Sequence, residues 1–309
     1  MQKWLTICCL LLTNQLFAQL TYANLYVDYD SAVTFKNLRV IPIRYKGNGS
    51  RPPAVLQNTI SFSEALQKNL ISVQERGTTA IENVHWLSLI NNSDKNIYVS
   101  SGEVLEGGRQ DRVVTKDTIV TAKSGRIDLP VMCVEEGRWS EKDKKFVYRK
   151  MANMHLRKTL DETKSQVQVW KEINNQLEKD KIKNKTLAYL SRDKDKVFTA
   201  AQNEYWQFLQ KKLSPPDSNL VGIVCMSGDK ILGSDIFISN QLFYGKWQPL
   251  MQGYIEEAIV FGAAPAVPDE RIHKYLDQFL TDEAMQEEFV KKNGKRFKSG
   301  GKVIHITTY

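Results

Sequence analysis

The amino-acid sequence predicts an α+β fold in which a barrel-like or sandwich-like antiparallel sheet carries an inserted helical segment within a single compact domain. Short β-branched runs separated by turn residues fill roughly the first 140 positions. Helical periodicity then dominates residues 150–213, and β structure returns after them. A chain of 309 residues is long enough to bury one large core.

The first 18 residues have the features of a secretory signal peptide. Lys3 precedes a short apolar run, and the small residue Ala18 precedes Gln19. The run is shorter than the roughly 20 residues that span a bilayer. We therefore expect cleavage after Ala18, export to the periplasm or the medium, and no membrane span in the mature chain. The alternative is a buried first helix or strand.

Alternating and β-branched residues predict the strands of the first half. A helix is predicted at 61–68, because Ser61 and Glu64 have the spacing of a capping box. The predicted strands are "LYVDYD", "LRVIPIRYK", "VHWLSLI", "IYVSS", "RVVTKDTIVT" and "GRIDLPVMCV".

Helical spacing and turn chemistry predict the second half. Apolar residues that include Val167 and Val197 recur at helical spacing in two segments between 165 and 213. A Ser-Gly-Asp turn predicts a hairpin over 219–238. A long aromatic helix follows, with a kink expected at Pro249 and an end at Gly262. Two short helices and a closing strand, "GKVIHITTY", complete the chain.

The positive charge is concentrated in the helical segment. The chain has a net charge of +8, and residues 141–196 alone hold 16 lysines and arginines against 9 acids. This stretch lacks the aromatic and glycine-rich interleaving of single-strand binders, which favours a solvated helical face over nucleic-acid binding. We expect no nucleic-acid partner.

Motifs for known cofactors and metals are absent from the sequence. There is no Walker loop, no GxGxxG after a strand, no GxSxG, no HExxH and no CxxC, so we expect no cofactor and no metal. Cys133 and Cys225 lie in apolar strand-like runs, which favours two buried free thiols over a disulfide or a reactive nucleophile.

Two polar stretches form the candidate site, "SGEVLEGGRQDR" (101–112) and "CVEEGRW" (133–139). We expect the first to be a loop between strands, and we expect the two stretches to meet. Their glycines allow a close approach to the backbone, and their arginines offer planar donors to phosphate or carboxylate. The alternative is that the acids and arginines pair and fasten two loops together. The candidate residues are Glu103, Arg109, Gln110, Arg112, Glu135, Arg138 and Trp139.

The same stretches resemble the ARG and Rhodanese-Phosphatase-superfamily-associated Protein domain. The resemblance rests on Gly-Glu, Gly and Arg-Gln-Asp-Arg in the first motif and on Pro, Cys-Val-Glu and Gly-Arg-Trp in the second, and it extends over most of the mature chain. The family name records association with ADP-ribosylglycohydrolase and rhodanese or phosphatase proteins. The resemblance therefore implies no catalytic residue, but it makes ADP-ribose or another phosphorylated ligand a candidate.

Two functions follow from these residues. The first is an exported, non-catalytic binding or accessory module with a polar Glu/Arg site and a small anionic or protein ligand. The second is an enzyme for a phosphorylated or ADP-ribosylated substrate, with Glu103 or Glu135 as general acid/base. Catalysis needs an unpaired carboxylate at an open cleft, whereas loops fastened together have both acids satisfied. The sequence does not fix the oligomeric state.

Overall fold

The structure, a computed structural model, describes residues 20–47, 56–78, 81–140, 145–213 and 217–309. The expected signal peptide lies outside these residues. The strands are β1 (Leu25–Val27), β2 (Val33–Phe35), β3 (Leu38–Tyr45), β4 (Thr59–Ser61), β5 (Ile71–Thr78), β6 (Ile81–Asn91), β7 (Asn96–Val99), β8 (Glu103–Gly107), β9 (Arg112–Val114), β10 (Thr118–Val120), β11 (Gly125–Cys133), β12 (Phe146–Met151), β13 (Leu220–Ser227), β14 (Lys230–Phe237), β15 (Gly294–Ser299) and β16 (Lys302–Thr308).

Seven α-helices accompany these strands in the described part of the chain. They are α1 (Phe62–Gln67), α2 (Met154–Thr163), α3 (Gln166–Lys179), α4 (Lys196–Lys212), α5 (Asn240–Val260), α6 (Asp269–Leu280) and α7 (Glu283–Asn293), with a 3₁₀ helix at Tyr189–Lys194. Helices and largely antiparallel sheets combine in one compact fold, which confirms the predicted α+β class.

The central feature is a seven-stranded antiparallel sheet. Its strands run in the order β1-β3-β13-β14-β16-β15, and β2 pairs with β3 at one side. Buried residues alternate between its faces: Val40 packs with α4 and α5, whereas its neighbour Ile41 packs with α6. Because successive side chains of a strand point to opposite faces, these helices cover the two sides of the sheet.

A six-stranded antiparallel sheet curls into a half-barrel. Its order is β12-β8-β9-β11-β6-β5, and its end strands approach each other at an isolated bridge between Gln74 and Lys145. Ser61 accepts a hydrogen bond from the Glu64 backbone N–H and begins α1 as predicted; Phe62 of this helix packs in the half-barrel core. The cap therefore fixes the helix that fills one end of the half-barrel.

A small sheet of β10, β7 and β4 lies between the two larger ones. In β7, Ile97 and Val99 pack into the half-barrel core, whereas Tyr98 packs into the core beneath the large sheet. Strand β7 thus serves both cores through the alternation of its side chains.

The helices α2, α3 and α4 occupy the stretch between β12 and β13. Val167 and Val197, which belong to the apolar residues that recur at helical spacing, are exposed, with exposed fractions of 66% and 80%. Both lie in the first turn of their helices, and Val169 and Phe198 are buried instead.

Helix α5 continues through Pro249 and ends at Val260, two residues before Gly262, where the sequence predicted its end. Cys133 and Cys225 are free and buried, as predicted. Within the described ranges, no helix is long and apolar enough to cross a membrane.

A buried polar chain connects the sheets. The Tyr98 hydroxyl lies 2.9 Å from His305 Nδ1, and His305 Nε2 lies 2.9 Å from Asp235 Oδ1. Asp235 also accepts two hydrogen bonds from the Arg157 guanidinium, at 2.9 and 2.7 Å. These four residues join the small sheet, the large sheet and α2. Their buried side-chain polar atoms have hydrogen-bond partners, as burial demands, with the exception of Arg157 Nε.

Candidate functional site

The first motif is half strand and half loop. The expectation that 101–112 forms one loop is wrong, because Glu103–Gly107 is β8, which pairs with β9 and β12. Four of the five β8 residues are buried, so this segment is a core strand. The loop is therefore confined to the residues between Gly107 and Arg112.

The two motifs meet around the guanidinium of Arg138. Its Nε donates to Glu135 Oε2 at 2.7 Å, and its other nitrogens donate to the Gly108 carbonyl at 2.7 Å and to Asp111 Oδ1 at 3.2 Å. Gln110 Nε2 donates to the Glu135 carbonyl at 2.8 Å. Gln110, Asp111, Glu135 and Arg138, called here the Arg138 cluster, join the two loops directly.

A third segment, residues 184–189, closes the other side of the cluster. Thr186 Oγ1 donates to Glu135 Oε1 at 2.8 Å, and the Gly137 N–H donates to the Thr186 carbonyl at 2.9 Å. Asn184 Oδ1 accepts from the Thr186 N–H at 2.8 Å and fixes this turn. The second motif is thus held between the first motif and the segment that follows α3.

The motif glycines make room for protein atoms. Gly108 has φ +53°, and a Cβ placed there would lie 2.3 Å from both Glu75 Oε1 and the Phe146 ring. A Cβ on Gly137 would lie 2.9 Å from the Thr186 Cα. A side chain at either position would clash, so these glycines serve the packing of the loops.

The remaining candidates border the cluster. The Arg109 guanidinium lies 5.6 Å from the Trp139 ring, and Trp139 is half exposed. Arg112 is buried and donates to the Gln110 carbonyl at 2.9 Å, with Glu75 3.6 Å away. The guanidinium groups of Arg112 and Arg138 both donate to protein atoms, so neither is open to solvent to bind an anion.

Glu103 lies apart from the other candidates. It is at the start of β8, about 13 Å along the strand from Gly107 at 3.3 Å per residue. Its carboxylate accepts from Lys246 of α5 at 2.7 Å and from the Ser100 N–H at 2.7 Å. The structure places it in a separate, fully buried ion pair.

The pKa values of the two candidate acids, Glu135 and Glu103, are shifted in opposite directions. Burial would raise the pKa of Glu135, but hydrogen bonds from Arg138 and Thr186 hold this pKa below its ordinary value. Burial raises the pKa of Glu103 in spite of Lys246, and burial lowers the pKa of Lys246 in spite of Glu103. Glu135 is therefore ionised at neutral pH and is not suited to donate a proton.

A polar cavity of about 230 Å³, called here the Thr186 pocket, opens beside the Arg138 cluster. All four acids of its lining are paired: Glu106 with Arg149, Asp193 with Lys150, and Asp111 and Glu135 with Arg138. Its lining is Glu106, Asp111, Glu135, Arg149, Asn184, Thr186, Ala188, Leu190, Ser191, Asp193 and Lys194.

Acids outnumber cations in the lining of this pocket. The acids are Glu106, Asp111, Glu135 and Asp193, and the cations are Arg149 and Lys194; Arg138 and Lys150 pair with lining acids but are not themselves part of the lining. No group of three histidine, cysteine or acidic side chains suited to a metal ion occurs among the described residues. The pocket is therefore a hydrogen-bonding environment with more acids than cations in its lining.

Sequence reasoning missed part of this site. Thr186 and Asn184 lie in a lysine-rich stretch that reads as a solvated helical segment. The available signal was local: an Asn two residues before a Thr is able to form a turn closed by its own side chain. Glu75 carried no signal, because its position beside Gly108 depends on the curl of the half-barrel.

Comparison with known proteins gives a family but no relative of known function. A family model described as the ARG and Rhodanese-Phosphatase-superfamily-associated Protein domain matches residues 26–306. No curated protein and no solved structure matches the chain.

Proposed function

Because the chain belongs to the ARG and Rhodanese-Phosphatase-superfamily-associated Protein domain family, whose description names no activity, we propose its function from the geometry: it is a non-catalytic binding module. The observation that carries this proposal is that both candidate carboxylates are saturated. Glu135 accepts from Arg138 and Thr186, and Glu103 accepts from Lys246 and the Ser100 N–H. A general acid or base needs a free position toward the substrate.

The recognition surface in this proposal is the Thr186 pocket. Its volume of about 230 Å³ is below the range of about 300–1,000 Å³ that suits drug-sized ligands, so the ligand is small. Because acids outnumber cations in the lining, a neutral ligand with hydroxyl or amide groups is favoured over an anion. The preformed hydrogen bonds of the walls reduce the ordering cost of binding.

A binding experiment tests the ligand class. Thermal stability is measured at fixed ionic strength with ribose, glycerol, phosphate, sulfate and ADP-ribose at matched concentrations. We expect a neutral polyol to raise Tm, and we expect Arg149→Ala, at the exposed rim, to reduce this shift. Arg126→Ala, an exposed arginine of β11 that does not line the pocket, is the matched control. A shift caused by anions alone and removed by Arg109→Ala would instead support the loops as an anion site.

A turnover experiment tests the enzyme alternative. We expect no hydrolysis of phosphate monoesters or of ADP-ribosylated protein by the purified chain. Hydrolysis abolished by Glu135→Gln or by Glu103→Gln, in variants shown to be folded, would replace the binding module by an enzyme.

We also propose export, on the basis of residues 1–18 of the sequence. The mass of the protein isolated from its native cells is expected to correspond to a chain that begins at Gln19. An intact segment 1–18 in that protein would contradict export by cleavage.

A further inference from the structure

We propose that a second site, on the opposite side of the large sheet from α4, binds a phosphate-bearing small molecule. The site is an open cavity of about 450 Å³ between α2, the start of β14 and α6. Among the described residues that line it, four are basic and none is acidic. This basic groove is lined by Lys158, Lys230, Ile231, Arg271, Lys274, Tyr275, Gln278 and Tyr309.

Helix geometry explains why α6 supplies half of the lining. Arg271, Lys274, Tyr275 and Gln278 are separated by three, one and three positions, which places them on one face of the helix. The opposite face, with Ile272 and the other apolar residues of α6, packs against the large sheet. The basic groove thus combines the solvent-exposed face of the amphipathic helix α6 with two further cations, Lys158 and Lys230.

The cations of the groove are held in place without being neutralised inside it. Arg271 donates to the Asp229 backbone carbonyl at 2.8 Å, which fixes the guanidinium and leaves other N–H donors of its fork for an oxyanion. Lys274 pairs with Glu270 at 2.7 Å, and both side chains are more than 70% exposed. Exposed ion pairs of this kind contribute little to stability, so a phosphate is able to replace Glu270 as the partner of Lys274.

Lys158 and Lys230 complete the positive field. Lys158 contacts an acid only at 3.8 Å, in a pair with Glu162 of its own helix. Lys230 is exposed at the first position of β14. Four positive charges around one concave surface raise the local concentration of a dianion more than single surface lysines do.

The remaining lining offers ring and aliphatic surface. The Tyr275 and Tyr309 hydroxyls are already bonded, to Thr308 and Asp161 respectively, so these residues present ring surface rather than free donors. Ile231 lies between the basic positions in the lining. This combination suits a phosphate ester whose organic part contacts the aromatic surface while its phosphate contacts the cations.

The basic groove and the Thr186 pocket differ in charge and in location. The pocket lies beside the half-barrel loops and has four acids and two cations in its lining, whereas the groove has four cations and no acid in its lining. The proposal therefore does not depend on the function proposed for the Thr186 pocket.

Calorimetric titration at fixed ionic strength tests the site, with inorganic phosphate, pyrophosphate and phenyl phosphate as probes. We expect saturable binding to the wild-type chain. The variant Lys230→Glu/Lys274→Glu is expected to weaken pyrophosphate binding by about tenfold or more, because two attractive contacts become repulsive. Lys230→Ala/Lys274→Ala, which avoids new charges, is expected to show a smaller loss in the same direction.

The matched control is Lys196→Glu/Lys212→Glu, which changes the same charge at two exposed positions of α4. Unchanged pyrophosphate binding in this control supports the groove, whereas an equal loss in both pairs assigns binding to net charge and overturns it. Absence of saturable binding to the wild type also overturns it. Tighter binding of phenyl phosphate than of inorganic phosphate identifies an organic phosphate ester as the ligand, and the reverse order identifies inorganic phosphate or polyphosphate.

Discussion

At the scale of single residues, Arg138 is the side chain on which the candidate site depends most. Its guanidinium binds two carboxylates and two backbone carbonyls of the neighbouring loop. A planar group with five fixed donors is suited to this task, and a lysine is not. The arginine therefore determines the shape of the loops before any ligand binds.

Arg138→Ala is expected to destabilise the protein by about 1–3 kcal/mol, because two carboxylates and two carbonyls lose a donor in a largely buried site. Chemical denaturation at pH 7 measures the loss. Arg126→Ala is the control, since Arg126 is exposed on β11, and it is expected to change stability by less than about 0.5 kcal/mol. Equal effects of the two substitutions would show that the cluster contributes nothing specific.

Glu135→Gln is expected to destabilise the protein at neutral pH and to matter less in acid. The pKa of Glu135 is lowered in the folded protein, so the stability that it contributes is present above its unfolded pKa, about 4.3. That stability is lost as the pH falls through the lower folded pKa. The difference in unfolding free energy between the two proteins, measured from denaturation curves, should therefore stay constant from pH 7 to about pH 5 and should shrink as the pH falls past about 4.3 toward pH 3. A difference independent of pH would assign the effect to packing.

The sequence predicted the residue types of this site better than their roles. The convergence of the two motifs could be expected, because each brings acids and arginines that need partners. The separation of Glu103 could not, since its partner Lys246 lies 143 residues away in sequence. Likewise, the sequence suggested that the motif glycines allow a ligand to approach the backbone. In the structure, Phe146 packs against Gly108 and Thr186 packs against Gly137.

At the scale of elements, one ion pair joins β8 to α5. Glu103 and Lys246 are both fully buried, and burial shifts the pKa of each toward its neutral form. Desolvation thus opposes the formation of this ion pair. The pair still stabilises the fold relative to a state in which either charged group is buried without the other.

Lys246→Met is expected to cost about 3–5 kcal/mol, because it leaves Glu103 buried without its cation. The double variant Glu103→Gln/Lys246→Met is expected to recover at least about half of that loss, since a neutral amide still accepts from Ser100. Urea denaturation of both single variants and the double variant measures the coupling. Strict additivity would mean that the two side chains do not interact.

Local patterns predicted one hairpin and two helices correctly. The hairpin of β13 and β14, the capped helix α1 and the long helix α5 each carry their own signal in sequence. Short strands such as β4 and β8 carry no independent signal, because their pairing is decided by distant partners. Helical spacing likewise does not decide burial at a helix end: Val167 and Val197 are exposed, whereas Val169 and Phe198 in the same first turns are buried.

At the scale of the whole molecule, the buried chain from Tyr98 to Arg157 ties the small sheet, the large sheet and α2 together. Separating the small sheet from the large sheet would remove the hydrogen bond between Tyr98 and His305. Unpaired buried polar groups are costly, so the parts are not expected to be stable alone.

We therefore expect unfolding in one cooperative transition. Tryptophan fluorescence and far-ultraviolet circular dichroism should give coincident denaturation curves. Limited proteolysis near Pro215 and Pro216 should not release two folded halves. Two separate transitions, or a folded fragment that ends in this region, would show that the protein has two independent domains.

The pairing of β3 with β13 has a consequence for the order of events during synthesis. All six half-barrel strands lie between residues 71 and 151, so they are able to associate while the rest of the chain is still being made. Strand β3 pairs with β13, which is synthesised about 180 residues later. Strand β16 pairs with β14 and β15 only when the last residues of the chain have been made. Distant pairings of this kind slow folding, so the large sheet is expected to form later than the half-barrel, only after the last residues have been synthesised.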